Sequence, residues 1–222
     1  MNIVISGGSK GIGKALTELL TKQGYRVFAI SRSMNSESNH PNLIPFSFDL
    51  SHQDFSPLAK AISAEFDTVD VLINNAGLLV NKPFLELTDE EINQSFDVNL
   101  KAPAKLIRVL TPLMNQNSHI VNITSMGGFQ GSVKFPGLSV YSASKGALSI
   151  LTETLALELG DLQIKVNALA LGAAQTEMLA QAFPGYKAPL TAGEMAEFIA
   201  WFALNGHRFF NGKVLPVSLS TP

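Results

Sequence analysis

The sequence predicts a doubly wound α/β fold, in which a parallel sheet of about seven strands is covered by helices on both faces. Short apolar and β-branched runs alternate with helix-length amphipathic stretches along the chain, and such alternation builds a parallel sheet. Several of the short runs are almost continuously apolar, as expected of strands buried on both faces. Because we find no internal repeat and no linker, we predict one Rossmann domain over residues 1–222.

Seven strands and five helices follow from the pattern. The strands are predicted at Asn2–Ser6, 25–31, 43–48, Val69–Asn74, 119–124, 164–171 and Val214–Val217. The helices are predicted at 10–23, 54–66, 89–114, 139–159 and 192–203. A segment rich in serine and asparagine, 33–41, is predicted to be an exposed loop.

Composition limits the classes of function. Of the 222 residues, 46% are hydrophobic and 15% are charged, the net charge is −2, and there is no cysteine. These values exclude a disordered chain, disulfides and thiolate metal sites, and they favour neither a nucleic-acid nor a membrane partner. The four histidines are scattered, so we expect no metal site. The first residues enter a strand without a signal peptide, and no apolar run approaches the roughly 20 residues of a membrane span. We therefore expect a cytoplasmic location.

A glycine-rich loop joins the first strand to the first helix, with the sequence Ser6-Gly7-Gly8-Ser9-Lys10-Gly11-Ile12-Gly13. Glycine at 7, 11 and 13 permits a sharp turn, close approach to a pyrophosphate and close packing of helix against strand. The helix start then offers free N–H groups to phosphate. The alternative is a tight turn that binds no ligand. After the first strand of a βαβ unit, the pattern favours dinucleotide binding.

The end of the second strand indicates which dinucleotide the chain binds. An acidic residue there would bind the ribose 2′-hydroxyl of NAD, but this strand continues into Arg32 and Ser33. Arg32 can form paired hydrogen bonds to a phosphate, and Lys10 adds a second cation. The alternative is two solvated surface cations. The pattern favours NADP(H) as cofactor.

Tyr141 and Lys145 are four residues apart at the start of a predicted helix, so both side chains can face one cleft. A free tyrosine has a pKa of about 10, and a nearby ammonium would lower that pKa. Such a pair is also common by chance on a protein surface. The spacing alone therefore does not establish a catalytic site.

Five motifs in the same order make the chain resemble the short-chain dehydrogenase/reductase family over nearly its whole length. The glycine loop resembles TGxxxGIG with Ser6 in place of Thr, and Tyr141 and Lys145 match YxxxK. The other matches are Asn74-Asn75-Ala76-Gly77, Phe96-Asp97-Val98-Asn99 and Ile123-Thr124-Ser125, and Asp49-Leu50 resembles the pair that contacts adenine.

The resemblance implies an NADPH-dependent oxidoreductase that moves a hydride between the nicotinamide and a carbonyl or alcohol substrate, and we expect this substrate to be small and apolar. It implies that Tyr141 exchanges the proton, Ser125 binds the carbonyl oxygen, Lys145 binds the ribose and Asn99 holds a relay water. The implied cofactor-binding residues are Gly7, Ser9, Lys10, Gly11, Ile12, Gly13, Arg32, Ser33, Asp49, Leu50, Asn75, Ala76, Gly77, Tyr141, Lys145, Gly172, Ala174 and Thr176.

The sequence also permits other roles for the site residues and other functions for the chain. Ser125 could cap a turn, and Asn99 could be a polar group satisfied within a helix. An NADPH-binding sensor without turnover would lose the catalytic set, and an unrelated Rossmann enzyme such as a methyltransferase would leave that set unexplained. Ser132 is a competitor for the role of Ser125, although it lies well beyond the strand end.

The chain departs from the family pattern in three places, and one of them is the separation of Ser125 and Tyr141, which is slightly longer than the family pattern. Leu171-Gly172 replaces the usual Pro-Gly after the sixth strand, and the last strand lacks the usual Asp-Gly-Gly. Loss of proline restores an N–H and frees φ, so the following loop is expected to be less rigid. Pocket and core roles are both open for a group of apolar residues, which are Leu79, Met126, Phe129, Met178, Phe183 and Tyr186.

The helix that follows Tyr141 predicts self-association. Between residues 146 and 159 only Glu153 and Glu158 are charged, so the helix is apolar around most of its circumference. A soluble monomer seldom exposes such a face, and a second copy could cover it about a two-fold axis. The alternative is cover by other parts of the same chain. We expect a homodimer or homotetramer.

Overall fold

The computed structural model describes residues 1–34 and 40–219, and residues 35–39 of the predicted loop lie outside the described part. A seven-stranded parallel sheet forms its centre, and its strands are β1 (Asn2–Ser6), β2 (Arg26–Ser31), β3 (Leu43–Ser47), β4 (Val69–Asn74), β5 (Met114–Ser125), β6 (Lys165–Leu171) and β9 (Val214–Val217). Their order across the sheet is β3-β2-β1-β4-β5-β6-β9. The predicted fold class is confirmed.

Helices cover both faces of the sheet, and two short strands form a separate parallel pair. The helices are α1 (Gly11–Lys22), α2 (Ser56–Glu65), α3 (Asp89–Phe96), α4 (Ala102–Leu110), α5 (Ser139–Glu158), α6 (Glu177–Ala182) and α7 (Ala192–Asn205). The short pair joins β7 (Ala174–Gln175) to β8 (Leu190–Thr191). No helix among the described residues is long and apolar enough to cross a membrane.

The apolar strands form these layers because their alternate side chains point to opposite faces. On one face, Ile3 and Ile5 of β1 pack with residues of α1 and α7. On the other face, Val4 packs with residues of α2, α4 and α5. Each face therefore has its own core, as the continuously apolar strands predict.

The prediction of a single helix over 89–114 is wrong. After α3 the chain forms a π-helical turn at Asp97–Lys101, then α4, then a 3₁₀ turn at Thr111–Leu113, and Met114 already begins β5. Proline has no N–H, so Pro103 cannot donate to the carbonyl of Asn99, as position 103 would in a regular α-helix. Pro112 likewise cannot donate to the carbonyl of Arg108 and lies in the 3₁₀ turn that ends this helical region.

The sheet brings the predicted site residues together. All seven strands are parallel, so the carboxyl ends of β1, β4, β5 and β6 lie at one edge, where open α/β sheets bind ligands. The strand order reverses direction between β1 and β4. The glycine loop and the segments after β4 and β5 therefore meet at the switch point.

Candidate active site

The glycine loop turns sharply at the end of β1. The N–H groups of Gly7 and Gly8 donate to the carbonyl oxygen of Ile30 at 2.7 and 3.1 Å. Gly7 has φ +74°, and a Cβ there would come within 2.8 Å of the Ala76 Cα. A Cβ on Gly13 would overlap the Gly7 carbonyl. Both positions therefore require glycine.

The start of α1 fits a phosphate group. Within the described part of the chain, no side chain caps this helix end, and its first turn holds no acidic residue. The helix N-terminus thus presents N–H groups and a partial positive charge to the space above the sheet. Lys10 is exposed at the N-cap of this helix, and Gly11 and Ile12 form its first positions. The arrangement fits the pyrophosphate of a dinucleotide.

The segment after β4 supports the glycine loop from the side. Asn75 Nδ2 donates to the carbonyl oxygens of Ser6 and Gly7 at 3.1 and 3.3 Å. The N–H of Ala76 donates to Ser6 Oγ at 3.1 Å. Ser6 therefore supplies a hydroxyl acceptor that fixes the backbone after β4 against the glycine loop.

Three serine hydroxyls meet at the end of β2, next to Arg32. Ser31 Oγ donates to Ser9 Oγ at 2.6 Å, and Ser9 Oγ lies 3.2 Å from Ser33 Oγ. Sequence reasoning identified Ser9 and Ser33 but missed Ser31, which is 8% exposed. The sequence feature that could have identified Ser31 is a small polar residue at the end of an otherwise apolar strand.

Arg32 is exposed, and its positive charge acts on the carboxylate of Asp49. Hydrogen bonds from Ser51 are the main cause that holds the pKa of Asp49 below its usual value, and the charge of Arg32 adds to the effect. Leu50 beside it is buried. Sequence reasoning placed Asp49 at the adenine end of the site but did not anticipate its proximity to Arg32.

Ser125 and Tyr141 face each other across the end of β5. Ser125 Oγ accepts a hydrogen bond from the N–H of Gly127 at 3.2 Å. Burial raises the pKa of the Tyr141 phenol, and a hydrogen bond with Ser125 partly opposes that rise. The sequence predicts that a nearby ammonium lowers this pKa, whereas burial is the dominant influence in the structure.

Lys145 is buried beside the same strand. Its Nζ donates to the carbonyl oxygen of Ile123 at 2.8 Å, and burial lowers its pKa to about 8. A Cβ on Gly77 would lie 3.4 Å from Lys145 Nζ and 3.5 Å from Asn99 Oδ1. The ammonium, the amide and the glycine after β4 therefore lie together.

Asn99 is fully buried, and both ends of its side chain are used by the protein. Its Nδ2 donates to the Leu78 carbonyl oxygen at 2.9 Å and to Ser144 Oγ at 3.0 Å, and its Oδ1 accepts from the Leu78 N–H at 2.8 Å. The side chain thus positions the backbone of Leu78, and the role of Asn99 in holding a relay water stays a prediction. Sequence reasoning missed Ser144, which links Asn99 to the carbonyl oxygen of Tyr141 at 2.8 Å.

The segment after β6 reaches back to the glycine loop. The N–H of Gly172 donates to the Val217 carbonyl oxygen at 2.9 Å, and a Cβ at this glycine would overlap Ser218. Thr176 Oγ1 accepts from the Leu179 N–H at 3.2 Å and so caps α6. A Cβ on Gly11 would lie 3.1 Å from the Thr176 methyl carbon. Thr176 therefore borders the predicted phosphate site, while Ala174 is buried in the short pair of strands.

The competing serine belongs to a different environment. Ser132 Oγ donates to the carbonyl oxygens of Met126 and Phe129 and accepts from Lys134 Nζ. These bonds lie within one loop, so the geometry favours Ser125. Across the described residues, no group of three or more His, Asp or Glu side chains is arranged to hold a metal ion.

Comparisons with known proteins agree with this geometry. A sequence profile described as short chain dehydrogenase matches residues 1–187. Carbonyl reductase [NADPH] 2 of Sus scrofa is 32% identical over 176 residues, covering 76% of this chain and 70% of that protein. L-xylulose reductase of Homo sapiens is 33% identical over 183 residues, covering 79% and 72%. The solved structure of 4-hydroxyisoleucine dehydrogenase complexed with NADH is 27% identical, covers 98% of this chain and 96% of that chain, and has a TM-score of 0.86.

Proposed function

The chain belongs to the short-chain dehydrogenase family, and on this premise we propose that it is an NADPH-dependent enzyme that reduces the carbonyl group of a small, apolar substrate. One observation carries the proposal. Ser125, Tyr141, Lys145 and Asn99 converge beside the glycine loop. An NADPH sensor without turnover would have no use for this set.

Each residue has a definite task in the proposed reaction. When bound, the nicotinamide cofactor supplies the hydride. Ser125 Oγ donates a hydrogen bond to the substrate carbonyl oxygen and holds it beside the Tyr141 phenol, which gives that oxygen its proton. A phenol with a raised pKa is fully protonated at neutral pH, so it is ready to act as an acid. Lys145, charged below a pKa of about 8, stabilises the phenolate that remains.

NADPH rather than NADH is proposed from the chain's own residues. Arg32 and Lys10 are exposed cations at the adenine end, and Ser9, Ser31 and Ser33 add hydroxyl groups there. The name of the Sus scrofa relative specifies NADPH, whereas two solved relatives hold NADH. Asp49 reduces the net positive charge around Arg32, so the preference needs a direct test.

The test of cofactor preference is calorimetry with both dinucleotides. We expect NADPH to bind at least about tenfold more tightly, since a paired contact to a charged phosphate contributes about 1.5–3 kcal/mol. Arg32→Ala should remove most of this preference and leave NADH binding unchanged. Equal affinities in the parent protein would refute the proposed preference.

The test of the reaction is a screen for NADPH oxidation over aldehydes, ketones, diketones, quinones and acyl thioesters. Tyr141→Phe is the variant that tests the proton donor, because it removes only the hydroxyl. We expect its kcat to fall by about 10²-fold or more, with cofactor binding retained. Near-normal turnover in this variant would show that Tyr141 is not the proton donor.

The proposed enzyme is a homodimer or homotetramer that uses the outer face of α5. Ile150 and Leu157 are 62% and 82% exposed on this helix, and their spacing of two turns places them on one face with Thr154. Light scattering after size exclusion should give at least twice the monomer mass of 23.8 kDa. Thr154→Arg should shift the mass to that of a monomer. A single domain and a cytoplasmic location stay predictions from the sequence.

A further inference from the structure

The helix α6 crosses the carboxyl edge of the sheet with little apolar support. None of its six residues is buried, so core packing does not hold it in place. Its position depends instead on polar contacts at its two ends. Segments of this kind open at low free-energy cost.

The first end of α6 is anchored at the phosphate site. Thr176 caps the helix and packs its methyl group near Gly11. The base of the whole segment is closed by the β7–β8 pair and by Gln175 Oε1, which accepts from the N–H of Ala188 at 3.0 Å.

The second end of α6 is held by a residue from a distant part of the chain. Asn81 Nδ2 donates to the carbonyl oxygen of Ala182, the last residue of α6, at 2.7 Å. This carbonyl is one of the helix-end groups that cannot find a partner within the helix. The contact joins residues 101 positions apart and connects the segment after β4 with the segment after β6.

Asn81 is itself held against the segment that leads to Tyr141. Gly137 has φ +85°, and the space that a Cβ would take there is filled by Asn81 Oδ1. The N–H of Lys82 donates to the Gly137 carbonyl oxygen at 3.0 Å. Lys82 Nζ lies 3.1 Å from a carboxylate oxygen of Glu91 on α3. One side chain thus links α6 to two anchored segments.

We propose that Asn81 is a positioning residue that latches α6 across the mouth of the active site, and so sets substrate affinity and the rate of ligand release. The effect of Asn81 on substrate affinity and ligand release rests on the proposed reductase function. Its effect on the opening of the segment 177–189 does not. Asn81 touches none of the reacting groups. It acts by determining how often the segment 177–189 opens.

Hydrogen–deuterium exchange tests the latch without any substrate. Asn81→Asp has nearly the same shape but replaces the donor with an acceptor that faces the Ala182 carbonyl, and Asn81→Ala removes the donor without adding charge. We expect amide exchange in residues 177–189 to become about threefold to tenfold faster in both variants, as loss of one hydrogen bond predicts. The matched control is Asn93→Asp at an exposed position on α3. This variant should leave amide exchange in residues 177–189 unchanged.

Kinetics test the consequence with a carbonyl compound that the parent reduces. Both Asn81 variants should raise KM about threefold to tenfold, keep or increase kcat, and retain the pH profile that Tyr141 and Lys145 determine. Unchanged exchange in 177–189 in folded Asn81→Asp protein would overturn the latch. If no carbonyl compound is reduced, the reductase proposal fails while the exchange result still decides the latch.

Discussion

Buried polar groups lie near both ends of strands β5 and β6, and the two ends differ in how these groups are paired. Toward the amino ends, His119 Nδ1 donates to the Ala203 carbonyl oxygen at 2.9 Å, and its Nε2 accepts from Asn167 Nδ2 at 3.0 Å. Asn167 also donates to the Phe210 carbonyl oxygen and accepts from the Lys213 N–H, both at 3.0 Å. These polar groups satisfy one another.

The carboxyl ends are arranged differently. Lys145 is 3% exposed, and the contact described for its ammonium is one backbone carbonyl, with no carboxylate to offset the burial of its charge. The Tyr141 phenol is likewise shifted by burial. Buried polar groups cost free energy unless they are paired. We therefore infer that the paired network of His119 and Asn167 stabilises the fold, whereas the buried ammonium of Lys145 reduces stability and is kept for ligand binding.

Disrupting the amino-end network should have the largest effect on stability. Asn167→Leu keeps the volume but leaves His119 Nε2, the Phe210 carbonyl and the Lys213 N–H without their partner. We expect the free energy of unfolding to fall by about 4 kcal/mol, since each orphaned buried group costs about 1–3 kcal/mol. Urea denaturation measures this. Activity per folded molecule should stay near that of the parent, and a loss below 1 kcal/mol would contradict the comparison.

The same network should make stability depend on pH. Burial lowers the pKa of His119 to about 4, below its ordinary value of 6.5, and nearby His207 has a lowered pKa for the same main reason. The folded state therefore favours neutral His119, and its contribution is complete above pH 6.5 and is lost as the pH falls toward 4. The full loss is about 3 kcal/mol. His119→Gln does not titrate, so the parent should lose more stability than this variant over that interval. Equal slopes would refute the assignment.

At the carboxyl ends, removing a polar group should have a smaller effect of opposite sign. Lys145→Met keeps the length of the side chain and removes the buried charge. Because the folded pKa of Lys145, about 8, is below its ordinary value of 10.5, the charged form disfavours folding at pH 7. We expect the cofactor-free variant to be more stable by about 1 kcal/mol after the lost hydrogen bond is counted, while turnover collapses. The gain should shrink as the pH rises from about 8 and disappear above pH 10.5, where the parent lysine becomes neutral in both the folded and the unfolded state; a destabilised variant at pH 7 would break the comparison.

The sequence predicted the parts of the fold that depend on buried periodic patterns. The bounds of β1, β4 and β9 were predicted correctly, because apolar runs flanked by polar residues mark both ends of those strands. The break in 89–114 was missed, since Pro103 is equally compatible with a helix start and with a helix interior that is disturbed. The helix α6 was missed because none of its residues is buried, so it has no periodic apolar face to detect.

The site was predictable to the extent that its residues lie in local motifs. Tyr141 and Lys145 share a helix, and Gly7, Gly11 and Gly13 share a turn, so their spacing in sequence reflects their spacing in the structure. Ser144 and Asn81 were missed because each acts on an element far away in sequence. Contacts of this kind depend on the packing of complete elements, which no local pattern encodes.

The position of β1 has a consequence for how the chain reaches its native state. Strand β1 lies inside the sheet, between β2 and β4, and Ile3 pairs with Val71, which is synthesised later. At a synthesis rate of roughly 5–20 residues per second, Ile3 waits several seconds before Val71 exists, and longer before β5 and β6 extend the sheet. Such non-local pairing slows folding and leaves apolar strands unprotected in the meantime. We therefore expect nascent chains that end before β5 to depend on chaperones. In the folded protein the complete sheet protects the same apolar strands.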